Sequence, residues 1–150
     1  MKMMKYPKYF QLSEFIVSDT ALKRKIKNCP NWTELEHVIE VALFMDDMRD
    51  AYGKSIYVSS GFRCDELNKA VGGSKTSVHK IGYAVDFYIN GGTKAMDEFF
   101  EWVSDYLTSN NLMFDQLIKE KNGKGGYWIH LGLYNNDGQQ RKQIKSMYVK

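Results

Sequence analysis

Cysteine is scarce in this chain, which has only Cys29 and Cys64 among its 150 residues. Two cysteines do not make a disulfide framework, so we expect reduced thiols and a fold held by its hydrophobic core. Long apolar runs are also missing, since no stretch approaches the roughly 20 residues of a transmembrane helix. The N-terminus has lysines but neither the apolar stretch nor the small-residue cleavage site of a signal peptide. These absences predict a protein with no export signal of its own and no membrane partner.

The chain also lacks a strong excess of one charge, because 21 Lys and Arg face 18 Asp and Glu for a formal net charge of +3. This balance permits an anionic partner but is too weak to predict binding of nucleic acid. Hydrophobic residues at 43% and aromatic residues at 14% are enough for a packed core. The length favours one domain over residues 1–150, which we expect to be monomeric.

Two segments have the apolar periodicity of long helices. The first is predicted to start at Thr33, which together with Glu36 has the spacing of a capping box, and to run to about Arg49. The second is predicted to start at Thr93 and to bury one face as far as Leu107. These helices alternate with strand-like segments along the chain.

The strand-like segments are rich in β-branched and aromatic residues and cover residues 55–59, 83–89, 112–118 and 127–133. A short loop with several glycines joins the last two, which is typical of an antiparallel hairpin. The C-terminal tail could add an edge strand. Because the strongest strand pair is antiparallel, the pattern predicts an α+β fold with a small antiparallel sheet flanked by helices.

The chain has only three histidines, so each can be interpreted separately. His37 lies off the apolar stripe of its helix and is predicted to be at the surface. His79 precedes the strand-like run that holds Asp86, and His130 is central in another such run. A carboxylate inside a buried strand is costly unless it is compensated. If the two strands are neighbours, two imidazoles and one carboxylate can form a three-ligand zinc site.

Spacing alone is a weak signal for a metal, and His130 could equally be a hydrogen-bonded core histidine while Asp86 caps a turn. The surrounding motifs are more specific. The chain has Ser-Gly-Phe-Arg at 60–63, Ser-x-His-x-x-Gly-x-Ala-x-Asp at 77–86, and a later strand with His130. In these motifs the chain resembles the zinc D-Ala-D-Ala carboxypeptidase family, which includes bacterial cell-wall peptidases and phage endolysins and shares its fold with the signalling domain of Hedgehog.

The resemblance implies roles for individual residues, written here as expectations. His79, Asp86 and His130 would be the zinc ligands. Arg63 would hold a carboxylate or carbonyl of the substrate and stabilise the developing oxyanion. Ser77 would either support the zinc ligands or hydrogen-bond to the substrate, and Gln116 would contact the substrate.

The catalytic acid of many family members has no counterpart at its usual place, three residues before the last ligand. That position is Tyr127, which cannot act as a carboxylate base near neutral pH. If residues 121–126 form the hairpin loop, Glu120 faces Tyr127 across the strands and is predicted to be the base, with Asp115 as the second candidate. A slip of one residue in register would change this assignment.

The resemblance implies a zinc metallopeptidase that hydrolyses a bond in the peptidoglycan stem peptide, of either the D-Ala-D-Ala carboxypeptidase or the L-Ala-D-Glu endopeptidase type. Such an enzyme would act at the bacterial cell wall, for example as a phage lysis protein. The alternative is a non-catalytic zinc-containing module that binds peptidoglycan or another protein, which Tyr127 keeps open. A thiol nucleophile is not favoured, because Cys64 has no apparent histidine partner.

Overall fold

The protein is described from a computed structural model that covers residues 5–149. In this part of the chain the helices are α1 (Asp19–Arg24), α2 (Trp32–Tyr52), α3 (Asp65–Ala70) and α4 (Gly92–Ser109), with 3-10 segments at Leu12–Phe15 and Val78–Ile81. The strands are β1 (Tyr57–Ser60), β2 (Ala84–Tyr88), β3 (Gln116–Asn122), β4 (Tyr127–Gly132) and β5 (Gln143–Val149). None of the helices in this range combines the length and the apolar composition that a membrane crossing requires.

The strands form one sheet in the order β1-β2-β4-β3-β5. The first three pairings are antiparallel, and β3 pairs with β5 in parallel. The α+β class is therefore confirmed, and the tail does add an edge strand, but the sheet is mixed and not purely antiparallel. The chain between β4 and β5 is long enough to return to the start of β3, where the Gln143 amide donates to the Asp115 carbonyl at 2.8 Å.

Both long helices begin earlier than the sequence pattern predicts. The capping box of α2 is formed by Asn31 and Glu34, whose side chains each accept from the other's amide at 2.8 Å, and not by Thr33 and Glu36. Helix α4 begins at Gly92 without a side-chain cap. The capping box forms two residues earlier than predicted, where the Asn31 and Glu34 side chains satisfy two free amides.

The hydrophobic core lies on one face of the sheet, under the two long helices. Alternate strand residues that point to this face are fully buried, as Val85, Phe87, Ile129, Leu131 and Leu117 show. They pack in one cluster with buried residues of the helices, which include Val38, Met45, Phe99 and Val103. The opposite face of β2, β4 and β3 therefore carries the polar residues and is open to a cavity.

Shortening Phe87 tests this packing. Because its side chain is fully buried in the core cluster, Phe87→Ala is expected to lower the free energy of unfolding by about 3–5 kcal/mol. Urea denaturation followed by circular dichroism measures the change. Leu22→Ala is the control, since Leu22 is 71% exposed; similar losses in both variants would contradict the assignment of the core.

Candidate metal centre

Two of the predicted ligands lie opposite each other on neighbouring strands. Strand β2 pairs with β4 so that Asp86 faces His130. The Nδ1 atom of His130 lies 3.0 Å from Oδ1 of Asp86. Directly opposed residues in an antiparallel pair point to the same face, so the register of these two strands alone brings a carboxylate and an imidazole together.

The third residue, His79, comes from the 3-10 segment that precedes β2. Its Nε2 atom lies 3.2 Å from Oδ1 of Asp86, and the residue is only 2% exposed. Its other nitrogen, Nδ1, lies 2.7 Å from the Gly61 carbonyl oxygen. A carbonyl can only accept, so Nδ1 carries the proton and Nε2 keeps its lone pair free for a metal.

Glycine at position 61 makes this contact possible. A Cβ atom there would lie 2.2 Å from the Phe15 carbonyl oxygen. The chain can thus pass close to Phe15, whose oxygen accepts from the Phe62 amide at 2.7 Å. The Ser-Gly-Phe-Arg motif therefore supports the site through its backbone as well as through its arginine.

His37 also supports the site, although the sequence pattern placed it at the surface. It is half-buried, its Nδ1 lies 2.6 Å from the Ile81 carbonyl, and its ring stacks on Tyr83 with centroids 3.8 Å apart. Gly82, next to Ile81, has φ +85 and passes so close to α2 that a Cβ would lie 2.5 Å from the Glu34 carbonyl. Helix α2 therefore fixes the segment that carries His79, a contact that local periodicity could not reveal.

The three side chains together fit a zinc ion. One ligand atom from each of His79, Asp86 and His130 lies within 4.8 Å of the other two, and no second such group occurs within residues 5–149. Ligands about 2.0 Å from a tetrahedral zinc are about 3.3 Å from one another. The two nitrogen-to-Asp86 distances, 3.2 and 3.0 Å, are close to that value.

The charges of the three groups suit a divalent cation. Burial lowers the pKa of His79, and this effect outweighs the attraction of Asp86. Burial by itself would raise the pKa of Asp86, but the two imidazoles hold it well below its usual range. Burial would lower the pKa of His130, yet hydrogen bonding to Asp86 raises it. A metal requires an ionised carboxylate and neutral imidazoles. The lowered pKa values of Asp86 and His79 favour these forms, whereas the raised pKa of His130 means that a metal must compete with a proton there.

Glu120 lies on the same face of the sheet as the three candidate ligands. It pairs with Trp128, and Ile118 pairs with His130, so the prediction that Glu120 faces Tyr127 is wrong by one residue. The strands continue to Asn122, whose side-chain oxygen accepts from the amides of Lys124 and Gly126 at 3.0 and 2.6 Å and closes a shorter loop.

Glu120 and the candidate ligands line one cavity of about 690 Å³. Burial and the nearby charge of Asp86 raise the pKa of Glu120. The buried indole N–H of Trp128 has no partner in hydrogen-bonding geometry in the described part of the chain, but it lies near enough to Glu120 to offset part of that rise. A carboxyl group with a raised pKa inside a cavity is suited to proton transfer.

Tyr127 points to the other face of the sheet. Its hydroxyl donates to Oδ1 of Asp97 on α4 at 2.6 Å, and it packs against the core cluster. Because side chains alternate along a strand, a residue three positions before His130 in β4 cannot face the same cavity. Tyr127 therefore does not occupy the place of a catalytic acid in this structure.

Asp115 lines the same cavity as Glu120, but its carboxylate is already paired. Arg141 donates to it from Nε at 2.7 Å and from Nη2 at 2.8 Å, and the Arg141 amide donates at 3.1 Å. Burial would raise the pKa of Asp115, but these bonds lower it. Of the two candidate bases, the structure favours Glu120, because Asp115 is held by Arg141.

The predicted substrate-binding residues all border this cavity. Arg63 is mostly buried and contacts Oδ2 of Asp86 through Nη2 at 3.2 Å. The Ser77 hydroxyl accepts from the His79 amide at 3.3 Å, so it also shapes the turn before the ligand. Gln116 donates to the side chain of Gln143 on β5 at 2.9 Å.

The donor set suits a zinc ion, and comparison with known proteins identifies the family. The family model for peptidase M15 matches residues 8–116. The chain belongs to this family and is a zinc-dependent peptidase. No curated protein matches it significantly. Glu120 and His130 lie beyond the matched residues, and the folded structure places both in the same cavity as His79 and Asp86.

Replacing Asp86 tests the metal centre without an activity assay. Asp86→Asn removes the only anionic candidate ligand of the trio and is expected to weaken zinc binding at least about 100-fold, measured by competition with a chromophoric chelator. Asp97→Asn, on the opposite side of the sheet, is the matched control and should keep its zinc. If both folded variants retained equal zinc, the candidate centre would be wrong.

Proposed function

We propose that this zinc peptidase hydrolyses a peptide bond in the stem peptide of bacterial peptidoglycan. The observation that carries the proposal is the presence of a free carboxylate, Glu120, in the same cavity as the His79, Asp86 and His130 trio. The family supplies the class of reaction. The proposal includes a monomer that acts at the bacterial cell wall, as a phage lysis protein would, without nucleic-acid or membrane partners.

In this proposal His79, Asp86 and His130 hold the zinc ion. When bound, zinc supplies a Lewis acid and lowers the pKa of a coordinated water toward about 7. Asp86 brings the charge that offsets part of the cation's charge, and the Gly61 carbonyl keeps His79 in the tautomer that coordinates through Nε2.

Glu120 is the proposed general base. Its carboxylate accepts a proton from the attacking water as the water oxygen bonds to the carbonyl carbon of the substrate. When the C–N bond breaks, the carboxyl group returns that proton to the nitrogen of the leaving amine. A pKa raised by burial moves the carboxyl group toward neutrality, where it can both accept and give back a proton.

Arg63 is proposed to stabilise negative charge on the substrate's carbonyl oxygen. Three of its nitrogens contact Ser60, Asn68 and Asp86 at 3.1, 3.4 and 3.2 Å, which holds the guanidinium in place. Both terminal nitrogens have a second N–H, and one of these suffices for a single oxyanion. Ser77 and Gln116 are proposed to contact the substrate from the walls of the cavity, and Asp115 remains the second candidate base.

The alternative function, a non-catalytic module that binds peptidoglycan or a protein, depended on Tyr127 in place of an acid. That reason is weaker in the folded protein, because Tyr127 faces α4 while Glu120 faces the cavity. A cavity with a candidate metal trio and a carboxylate with a raised pKa supports catalysis over binding alone.

Replacing Glu120 tests the proposed reaction. Glu120→Gln is expected to lower kcat for the release of peptide fragments from purified peptidoglycan at least about 100-fold, because proton transfer is lost, while zinc content is unchanged. Glu98→Gln is the matched control, since Glu98 lies exposed on α4.

Two results would contradict the proposal in different ways. If the zinc-loaded wild type released no fragments but bound peptidoglycan, the binding-module alternative would replace it. If Glu120→Gln kept full activity while Asp115→Asn lost it, hydrolysis would stand but the base would be Asp115.

A further inference from the structure

Arg63 lies in a turn whose backbone is hydrogen-bonded on both sides of its Cα atom. The peptide unit before this atom contains the Phe62 carbonyl and the Arg63 amide, and the unit after it contains the Cys64 amide. The side chain of Asn28 contacts both units, because its Nδ2 donates to the Phe62 carbonyl at 3.0 Å and its Oδ1 accepts from the Cys64 amide at 2.8 Å. The Arg63 amide itself donates to the His79 carbonyl at 3.1 Å. Asn28 and His79 thus hold the two peptide planes that flank Arg63.

The orientations of these two planes set the direction of the Arg63 side chain. The backbone of a residue has only two soft dihedral angles, φ and ψ, and each describes the rotation of one flanking peptide plane about the Cα atom. Since both planes are bonded to groups outside the turn, φ and ψ of Arg63 are fixed, and so is the bond from Cα to Cβ. From this position the guanidinium reaches Ser60, Asn68 and Asp86.

Asparagine at position 28 has the donors and the acceptor that this place requires. A side-chain amide carries two N–H donors and one carbonyl acceptor. Nδ2 of Asn28 also donates to the Ile16 carbonyl at 2.7 Å, so each of its N–H groups has an acceptor. An aspartate of the same shape would place an oxygen where the carbonyls of Ile16 and Phe62 need a donor. An alanine would remove the partner of both carbonyls and of the Cys64 amide.

Asn28 acts on this turn from outside the cavity. Among the described residues, Arg63 lines the cavity that contains the metal trio and Asn28 does not. Asn28 belongs to the segment between α1 and α2, at the end of the basic run of residues 22–28. Any effect of its side chain on the reaction must therefore pass through the backbone groups that it binds.

We infer that Asn28 is a positioning residue for Arg63, which keeps the guanidinium where it can stabilise negative charge on the substrate's carbonyl oxygen. This inference rests on the proposed function and extends it to a residue outside the cavity. A donor to the oxyanion acts mainly in the transition state, and a displacement of about 1 Å can cost about 100-fold in rate. Loss of the Asn28 amide is therefore expected to lower kcat more than it raises KM.

Two substitutions remove the contacts of Asn28 in different ways. Asn28→Ala deletes the side-chain amide, and Asn28→Asp keeps its shape but removes both N–H donors. For hydrolysis of a soluble disaccharide peptide from peptidoglycan, we expect each variant to lower kcat at least about 10-fold, with KM within about 3-fold of wild type and zinc content unchanged. If Asn28→Ala does not fold, Asn28→Asp serves for this test.

Asn110→Ala is the matched control for these variants. The Asn110 side chain also donates to a carbonyl, that of Tyr106 at 2.8 Å, but it does so at the end of α4 and does not line the cavity. Its kcat and KM should equal those of the wild type. Wild-type kcat in the folded Asn28 variants would overturn the inference.

A double substitution shows whether the effect of Asn28 passes through Arg63. If it does, adding Asn28→Ala to Arg63→Ala lowers kcat by less than about a further 2-fold, because the group that Asn28 positions is already missing. Losses that multiply in the double variant would mean that Asn28 acts on another part of the site, and they would overturn the inference.

Nuclear magnetic resonance tests the positioning without an activity assay. The signal of the Arg63 Nε–H group, assigned by its absence in Arg63→Lys, reports the surroundings of a nitrogen that lies 3.1 Å from the Ser60 hydroxyl. We expect this signal to shift in both Asn28 variants and to stay in place in Asn110→Ala. An unshifted signal in the folded Asn28 variants would overturn the inference. A shifted signal, together with a zinc-loaded wild type that hydrolyses no bond of peptidoglycan, would overturn the proposed function alone.

Discussion

The structure depends on how the buried charge of Asp86 is compensated. Its carboxylate is almost fully enclosed, with His79 and His130 on one oxygen and Arg63 on the other. An isolated carboxylate in such a place would be strongly unfavourable. Each compensating group comes from a different part of the chain: the 3-10 segment before β2, strand β4, and the turn after β1. Asp86 thus links β2 to β4, to the 3-10 segment and to the turn after β1. A bound metal would further compensate the negative charge of Asp86.

The two faces of the sheet have different roles, because successive side chains of a strand point to opposite faces. Most residues that face α2 and α4 are apolar and buried, while their neighbours on the same strands face the cavity. The pair Tyr127 and Trp128 illustrates this, since the first contacts Asp97 on the helical side and the second pairs with Glu120 on the cavity side. In β3 and β4, the residues that pack against the helices are therefore different from the residues that face the cavity, so one set can be substituted without replacing the other.

The residues around the metal trio are held by contacts that leave little freedom. The Gly61 carbonyl orients His79, and His37 and Gly82 attach the following turn to α2. Arg63 and Arg141 are likewise fixed by buried carboxylates.

The sequence by itself predicted the α+β class and the hairpin, which the structure confirms, and it named as candidate ligands the three residues that the fold brings together. The strand prediction was possible because apolar residues at every second position indicate which side chains share a face. The motifs that contain Arg63, His79 and Asp86 are each short, continuous segments that can be identified in the sequence. Tertiary structure decided the partner of Glu120, the parallel pairing of β5 and the contact of His37 with Ile81. Each of these depends on contacts between residues far apart in the chain or on the exact closure of a loop, where one residue of register exchanges the two faces of a strand.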